Sequence, residues 1–169
     1  MGIAYGLFNL KHGNLYPMFV ETNSVVPIGV WLKAKEGPYV VRENGRKYTK
    51  SKLGLLAYRP GKHLATVPLF DHIGKKQNGV LLRRENTVIC EVEYKDDVDW
   101  TPVAKRQSSV AYDQCFDHLP HNGFYHYKTN PKAKADWLIV ESYKVNRVIS
   151  QDEVEKICKA NGFVAQEVA

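Results

Sequence analysis

Arg59-Pro60-Gly61-Lys62-His63 sets a guanidinium, an ammonium and an imidazole within five consecutive residues. Proline presets φ and glycine permits reversal, so a turn there projects all three groups from neighbouring positions. That set suits a phosphodiester. Arg59 offers a planar fork for phosphate oxygens, Lys62 adds a point charge, and His63 can shuttle a proton near neutral pH. The competing reading is a surface turn whose His63 hydrogen-bonds a carbonyl.

A second constellation is Gly123-Phe124-Tyr125-His126-Tyr127-Lys128-Thr129-Asn130-Pro131. In an extended strand Tyr125 and Tyr127 share one face, and Phe124 and His126 the other. Alternate aromatics beside Lys128 and Asn130 could stack bases and hold phosphates. The competing reading makes one aromatic face plain core. A third, Lys144-Val145-Asn146-Arg147, places Lys144 and Asn146 on one strand face and Val145 and Arg147 on the other, as site residues or as solvated edge charges. Cys115, His118 and His121 recur every three residues with Asp113 and Asp117 nearby. They have zinc-ligand types, but they lack a second ligand pair and Pro120 interrupts them. No metal and no cofactor is therefore expected. A Cys115–His118 dyad is weaker still, because such partners rarely adjoin in sequence.

The surroundings are basic. The chain has 169 residues, a net charge of +6 and a pI near 9.1. From Lys33 to Lys62 nine basic residues stand against two acids, Glu36 and Glu43, while acids gather at Glu91–Asp99 and Asp152–Glu155. Such a sector is the footprint of a polyanion binder, or of a solvated lysine face. Length and composition fit one globular domain over 1–169. No apolar run approaches the roughly 20 residues a membrane helix needs, and the opening residues Met1–Phe8 lack the basic region and long apolar core expected of a signal peptide. Three cysteines without paired spacing fit a reducing cytoplasm.

Positioning these residues falls to strands. Ile3–Phe8 and Leu15–Val20 flank the turn residues His12-Gly13-Asn14. Tyr39–Arg42 and Lys47–Thr49 flank Asn44-Gly45, a type I′ signal. Leu55–Tyr58, Phe124–Lys128 and Trp137–Val148 read as strands, and Thr87–Tyr94 is the strongest, with Glu91 and Glu93 marking a wet face. Ser150-Gln151-Asp152-Glu153 is a capping box that opens a helix ended by Gly162. Residues 71–76 or 103–116 could hold another short helix. The expected fold is α+β, a twisted, mostly antiparallel sheet with N-terminal hairpins and one or two packed helices, one of them C-terminal.

Arg59-Pro60-Gly61-x-His63, the Gly123–Pro131 run, Trp137 and Lys144-Val145-Asn146-Arg147 resemble an uncharacterised family encoded by phages and prophages of gut bacteria. The likeness runs from about Ile3 to Glu155. It departs at Lys62, where the family is expected to carry Trp, and at Glu141, where a small residue is expected. The resemblance implies a mobile-element origin and an anti-defence role in the cytoplasm of a bacterial host. Some streptococcal anti-CRISPR proteins cause truncation of the Cas9 guide RNA, and this chain is similar to what such a protein would be. Metal-independent ribonucleases of the barnase, EndoU and RelE type also carry His, Tyr, Arg and Lys on a sheet.

Three expectations follow. In a metal-independent endoribonuclease, His63 is the acid or base, Arg59 and Lys128 stabilise the phosphorane charge, and Tyr125 or Tyr127 positions a base. Lys62, Asn130, Lys144 and Arg147 then hold the strand. In a binding inhibitor, the basic sector occupies a host CRISPR nuclease or its guide RNA without cutting. In an ADP-ribosyltransferase, Arg59 and His63 grip NAD and Glu141 is the catalytic acid.

Overall fold

The computed structural model describes residues 1–107, 116–128 and 134–169. Its elements are β1 (Gly2–Lys11), β2 (Asn14–Tyr16), β3 (Trp31–Lys33), β4 (Val40–Val41), β5 (Lys47–Ser51), β6 (Gly54–Ala57), β7 (Lys62–Ala65), β8 (Lys75–Gln77), β9 (Val80–Leu82), β10 (Thr87–Tyr94), β11 (Val98–Asp99), α1 (Thr101–Gln107), β12 (Gly123–Tyr127), β13 (Trp137–Val140), β14 (Ser142–Ile149) and α2 (Gln151–Ala160). The fold is α+β. Its main sheet runs β11-β12-β13-β7-β1-β10-β14-β3 with β2 beside β1, and only the β11–β12 pairing is parallel.

Turn chemistry accounts for much of the outline. His12 and Gly13, at φ 50° and 78°, form the two-residue turn between β1 and β2. The strand expected over Leu15–Val20 stops at Tyr16, because Pro17 has no N–H to donate to a ladder. At Asn44-Gly45 only Gly45 has positive φ (75°). The Gly45 N–H bonds the Arg42 carbonyl, so the turn is centred on Glu43-Asn44 and differs from the expected type I′. No helix forms over 71–76. Lys75–Gln77 instead pairs with Val80–Leu82 across Asn78-Gly79, where φ is positive at both residues (50° and 79°).

β13 and β14 are one run of chain interrupted only by Glu141, yet they sit at opposite ends of the β13-β7-β1-β10-β14 path. The sheet therefore curls until its two ends share a strand. The Phe124 ring on β12 lies 5.8 Å from the Tyr94 ring on β10. Lys62 Nζ on β7 lies 4.3 Å from the Phe8 ring centroid and 5.7 Å from that of Tyr143 on β14. The concave face buries Ala4, Phe8, Leu64, Cys90, Val92, Leu138, Val140 and Val145, with Leu15 and Val26 closing over them.

The opposite face carries two further clusters. α2 lays Val154 and Cys158 on Leu7, Ala65, Ile89 and Ile149, and Ala104 of α1 joins Phe116, Tyr125, Tyr127 and Ile139. Ser150 caps α2 by accepting from the Glu153 N–H at 3.2 Å, but the Glu153 carboxylate turns to Arg147 rather than completing the box. At the other end, Gly162 N–H reaches the Lys159 carbonyl and Phe163 N–H the Cys158 carbonyl, a Schellman closure with Gly162 at φ 80°. Cys90 and Cys158 are free and buried. Among the described residues, no helix is long and apolar enough to cross a membrane.

Gly123 is the tightest backbone approach in the sheet. A Cβ there would stand 1.8 Å from the Val98 carbonyl oxygen. Gly123→Ala is expected to push β11 off β12 and to cost about 1–3 kcal/mol, as overpacking does. Urea unfolding of the two proteins checks this, the variant showing the lower midpoint.

Candidate active site at the sheet corner

The structure brings Arg59, His63 and Tyr127 together, with Tyr127 in the core and Arg59 and His63 half-buried beside it. His63 Nε2 lies 3.1 Å from the Arg59 carbonyl oxygen, and Nδ1 lies 2.8 Å from the Tyr127 hydroxyl. A carbonyl only accepts, so Nε2 carries the hydrogen, and Nδ1 accepts from Tyr127. Both nitrogens are thus engaged in a neutral ring. Burial holds His63 down at about 4, opposed by the Arg59 carbonyl bond and reinforced by the Arg59 and Lys62 charges. Burial likewise raises Tyr127 well above the usual phenol range. The Arg59 guanidinium carbon stands 5.6 Å from the centre of the Tyr127 ring. His63 does bond a carbonyl, as the competing reading has it, but from strand β7 rather than from a surface turn.

The remaining residues singled out by type disperse. Tyr125 and Tyr127 are core, at 0% and 4% exposure, so neither ring offers a face to a base. Lys128 pairs with Asp136 at 3.5 Å, at the loop end of the β12–β13 hairpin. Asn130 lies outside the described residues, as do Cys115 and Asp113. Lys144 pairs with Glu93 at 2.8 Å. A bulge opposite Glu91/Val92 makes Asn146 the extra residue of β14, so Asn146 and Arg147 both reach the Glu91 carboxylate, against the expected alternation. Arg147 also pairs with Glu153, and these two carboxylates push it above its ordinary value. Lys62 is lowered to about 8 by burial among aromatic rings. Among the described residues, no group of three or more His, Cys, Asp or Glu side chains gathers as a metal site.

A different pair has the geometry of acid–base chemistry. Glu141 occupies the corner between β13 and β14. Its N–H reaches the Gly123 carbonyl at 3.4 Å, and its carbonyl accepts from Ala34 N–H at 2.8 Å. Its side chain is only 1% exposed, yet it carries a carboxylate. Two donors and one cation hold that group. His121 Nδ1 is 2.6 Å from Oε2, the Asn122 N–H 3.1 Å from Oε1, and Lys33 Nζ 3.9 Å from Oε1. A buried carboxylate is tolerated only with such partners. The His121 and Lys33 side chains are themselves 64% and 69% exposed. Because the carboxylate accepts, Nδ1 carries a hydrogen, and in the neutral ring the lone pair then stands on Nε2.

Local sequence builds this arrangement. Pro120-His121-Asn122-Gly123 is a β-turn closed by the Gly123 N–H on the Pro120 carbonyl at 3.0 Å. Asn122 takes the left-handed position at φ 56°, which asparagine tolerates well. The Trp100 indole N–H donates to the His121 carbonyl at 3.0 Å. The turn at Gly61 packs on the same corner. A Cβ on Gly61 (φ 132°) would meet Ile139 Cγ2 at 2.4 Å, Val140 O at 3.0 Å and Pro120 Cδ at 3.8 Å. His118, on the same segment, is exposed between Asp117 at 3.5 Å and Glu36 at 3.9 Å.

The readable signal for this pair was Glu141 itself, a lone charge in the run Trp137-Leu138-Ile139-Val140-Glu141, since a charge in a buried strand demands a partner. Because both carboxylate oxygens are held inside the protein, Glu141 presents no free carboxylate to a nicotinamide ribose, the role assigned to it in an ADP-ribosyltransferase.

The His63 network predicts a pH signature. Its folded value lies near 4 against about 6.5 unfolded, so between them the unfolded chain binds more protons. Stability is therefore lost as pH falls from about 6.5 to about 4, by up to ~3 kcal/mol from this residue. Urea midpoints at both ends of that window should fall more for the wild type than for His63→Gln. Comparison of the chain with known protein families, with curated proteins and with solved structures finds no match.

Proposed function

We propose that the protein binds RNA and cuts it by metal-independent acid–base catalysis, with His121 rather than His63 as the catalytic imidazole. The observation that carries this reading is an exposed imidazole oriented by a buried carboxylate, with Lys33 of the basic sector paired to the same carboxylate. His121 Nε2 takes the 2′-hydroxyl proton, and the Glu141 carboxylate stabilises the imidazolium that forms. The 2′-oxygen bonds to the adjacent phosphorus, and the bond from phosphorus to the 5′-oxygen breaks. His118 is the candidate for returning a proton to that 5′-oxygen. Lys33 supplies a fixed cation beside the developing charge. The motif resemblance points to a phage protein acting in a bacterial cytoplasm on the guide RNA of a host CRISPR nuclease such as Cas9.

A second reading, inhibition by binding alone, is favoured by the basic ribbon of residues 40–57, which is exposed or half-buried throughout. It predicts stoichiometric inhibition of the nuclease that weakens steeply with salt.

Labelled guide RNA in EDTA separates the two. Wild type at substoichiometric concentration should cut with turnover, and His121→Ala should lose about 10²–10⁴-fold in rate. His63→Gln should retain turnover, and Glu141→Gln should lose it in part while still folded by circular dichroism. An uncut RNA with wild type, or undiminished cutting by His121→Ala, would remove the catalytic reading.

A further inference from the structure

The ribbon formed by β4, β5 and β6 has no structural reason of the ordinary kind. None of residues 40–57 is buried, and none belongs to the three apolar clusters. Its ties to the body are polar. Lys47 pairs with Asp117 at 3.3 Å, and Lys52 N–H reaches the Phe19 carbonyl at 3.4 Å. Asp117 belongs to the segment that also carries His118 and His121, so the base of the ribbon adjoins the candidate active site.

Residues paired across strands share a face. Tyr48 aligns with Val40 and Ala57, and Lys50 with Leu55. On that face Lys50, Leu55 and Ala57 are exposed and Val40 and Tyr48 half-buried, whereas on the other Lys47, Thr49, Ser51 and Leu56 are half-buried and Val41 is exposed. The turns extend the outward face with cations at each end, exposed Arg42 and Arg46 at one and exposed Lys52 beside Leu53 at the other. Between Val41 and Leu53 five basic residues stand against the single acid Glu43. From Arg46 to Lys52 the strand covers about 20 Å at ~3.3 Å per residue.

We propose that this outward face is a clamp for base-paired RNA, a reading that rests on the RNA-binding function proposed above and names the form of RNA bound. Cations about 20 Å apart address phosphates on opposite sides of a groove rather than successive phosphates of one strand. Single-strand binders instead present aromatic platforms. The apolar groups at the outward end here are the aliphatic Leu53 and Leu55, and Tyr48 is half-buried with its hydroxyl accepting from Asn44 at 2.9 Å. The ribbon would seat a stem while the adjoining corner meets the strand to be cut.

Fluorescence anisotropy of the full chain tests this, with a 2′-O-methyl RNA duplex of about 16 base pairs and a 2′-O-methyl single strand of equal length. Methylation removes the attacking hydroxyl, so binding is read whether or not the protein cuts. Wild type should hold the duplex at least ~10-fold more tightly than the strand. Arg42→Glu/Lys50→Glu/Lys52→Glu should weaken duplex binding about 100-fold and flatten the salt dependence, each lost phosphate contact removing about one from the log–log slope. Equal affinity of wild type for strand and duplex would overturn the clamp. So would wild-type duplex affinity in a charge-reversed variant that melts as the parent does. Absence of any RNA binding would overturn it too and redirect the ribbon to a protein partner. Tight duplex binding without cleavage of unmodified RNA would leave the clamp standing and sink the nuclease.

Discussion

The fold closes on a buried carboxylate. Glu141 stands where one continuous strand passes from the β12 side of the sheet to the β14 side, and its backbone bonds residues from both. An ionised group in that position costs several kcal/mol unless donors surround it. His121 and the Asn122 amide supply them, and Lys33 adds a cation at 3.9 Å. Two separate constraints place these groups: the Pro120–Gly123 turn sets the two donors, and β3 pairing with β14 sets Lys33. Sheet closure, turn geometry and an oriented exposed imidazole are thus one arrangement, and disturbing any of them disturbs the others.

The two histidines illustrate how environment assigns roles to identical chemistry. His63 follows a turn rich in cations, and its residue type is right for catalysis. It sits on β7 between two apolar clusters, so its nitrogens are spent on a carbonyl and a hydroxyl, and burial keeps it neutral. His121 sits on a surface turn, and among the described residues only its Nδ1 is held. A base needs a free lone pair before it needs a favourable neighbourhood. The basic residues sort in the same way. Lys128, Lys144 and Arg147 face acids across strands and serve as cross-strand pairs, whereas Arg42, Lys50 and Lys52 of the β4–β6 ribbon are exposed.

Much of the architecture was legible from local rules. Thr87–Tyr94 is the central strand with the bounds its alternation implied, and Ser150 and Gly162 mark the ends of α2. What escaped depended on distance in sequence. The curl of the sheet requires β13 and β14 to pair with strands far upstream, so no window of sequence shows Glu141 to be a corner. The bulge at Asn146 likewise depends on register with β10, and it reverses the face expected of Arg147. Asn78-Gly79 is a lesson of the opposite kind, since it is a hairpin signal as strong as Asn44-Gly45 and the one that forms the tighter turn. At the candidate site, residue types led to the expectation that Arg59, His63 and Lys128 converge with Tyr127; Arg59, His63 and Tyr127 do meet, whereas Lys128 pairs with Asp136, and only packing decides that difference.

The tautomer of His121 bears most directly on this account. Two-dimensional ¹⁵N–¹H correlation of the imidazole, in wild type and in Glu141→Gln, reads which nitrogen holds the hydrogen. The account requires the Nδ1–H form in the wild type, with its proton shielded from exchange, and loss of that protection in the variant. An Nε2–H ring in the wild type, or a spectrum indifferent to Glu141, would contradict it.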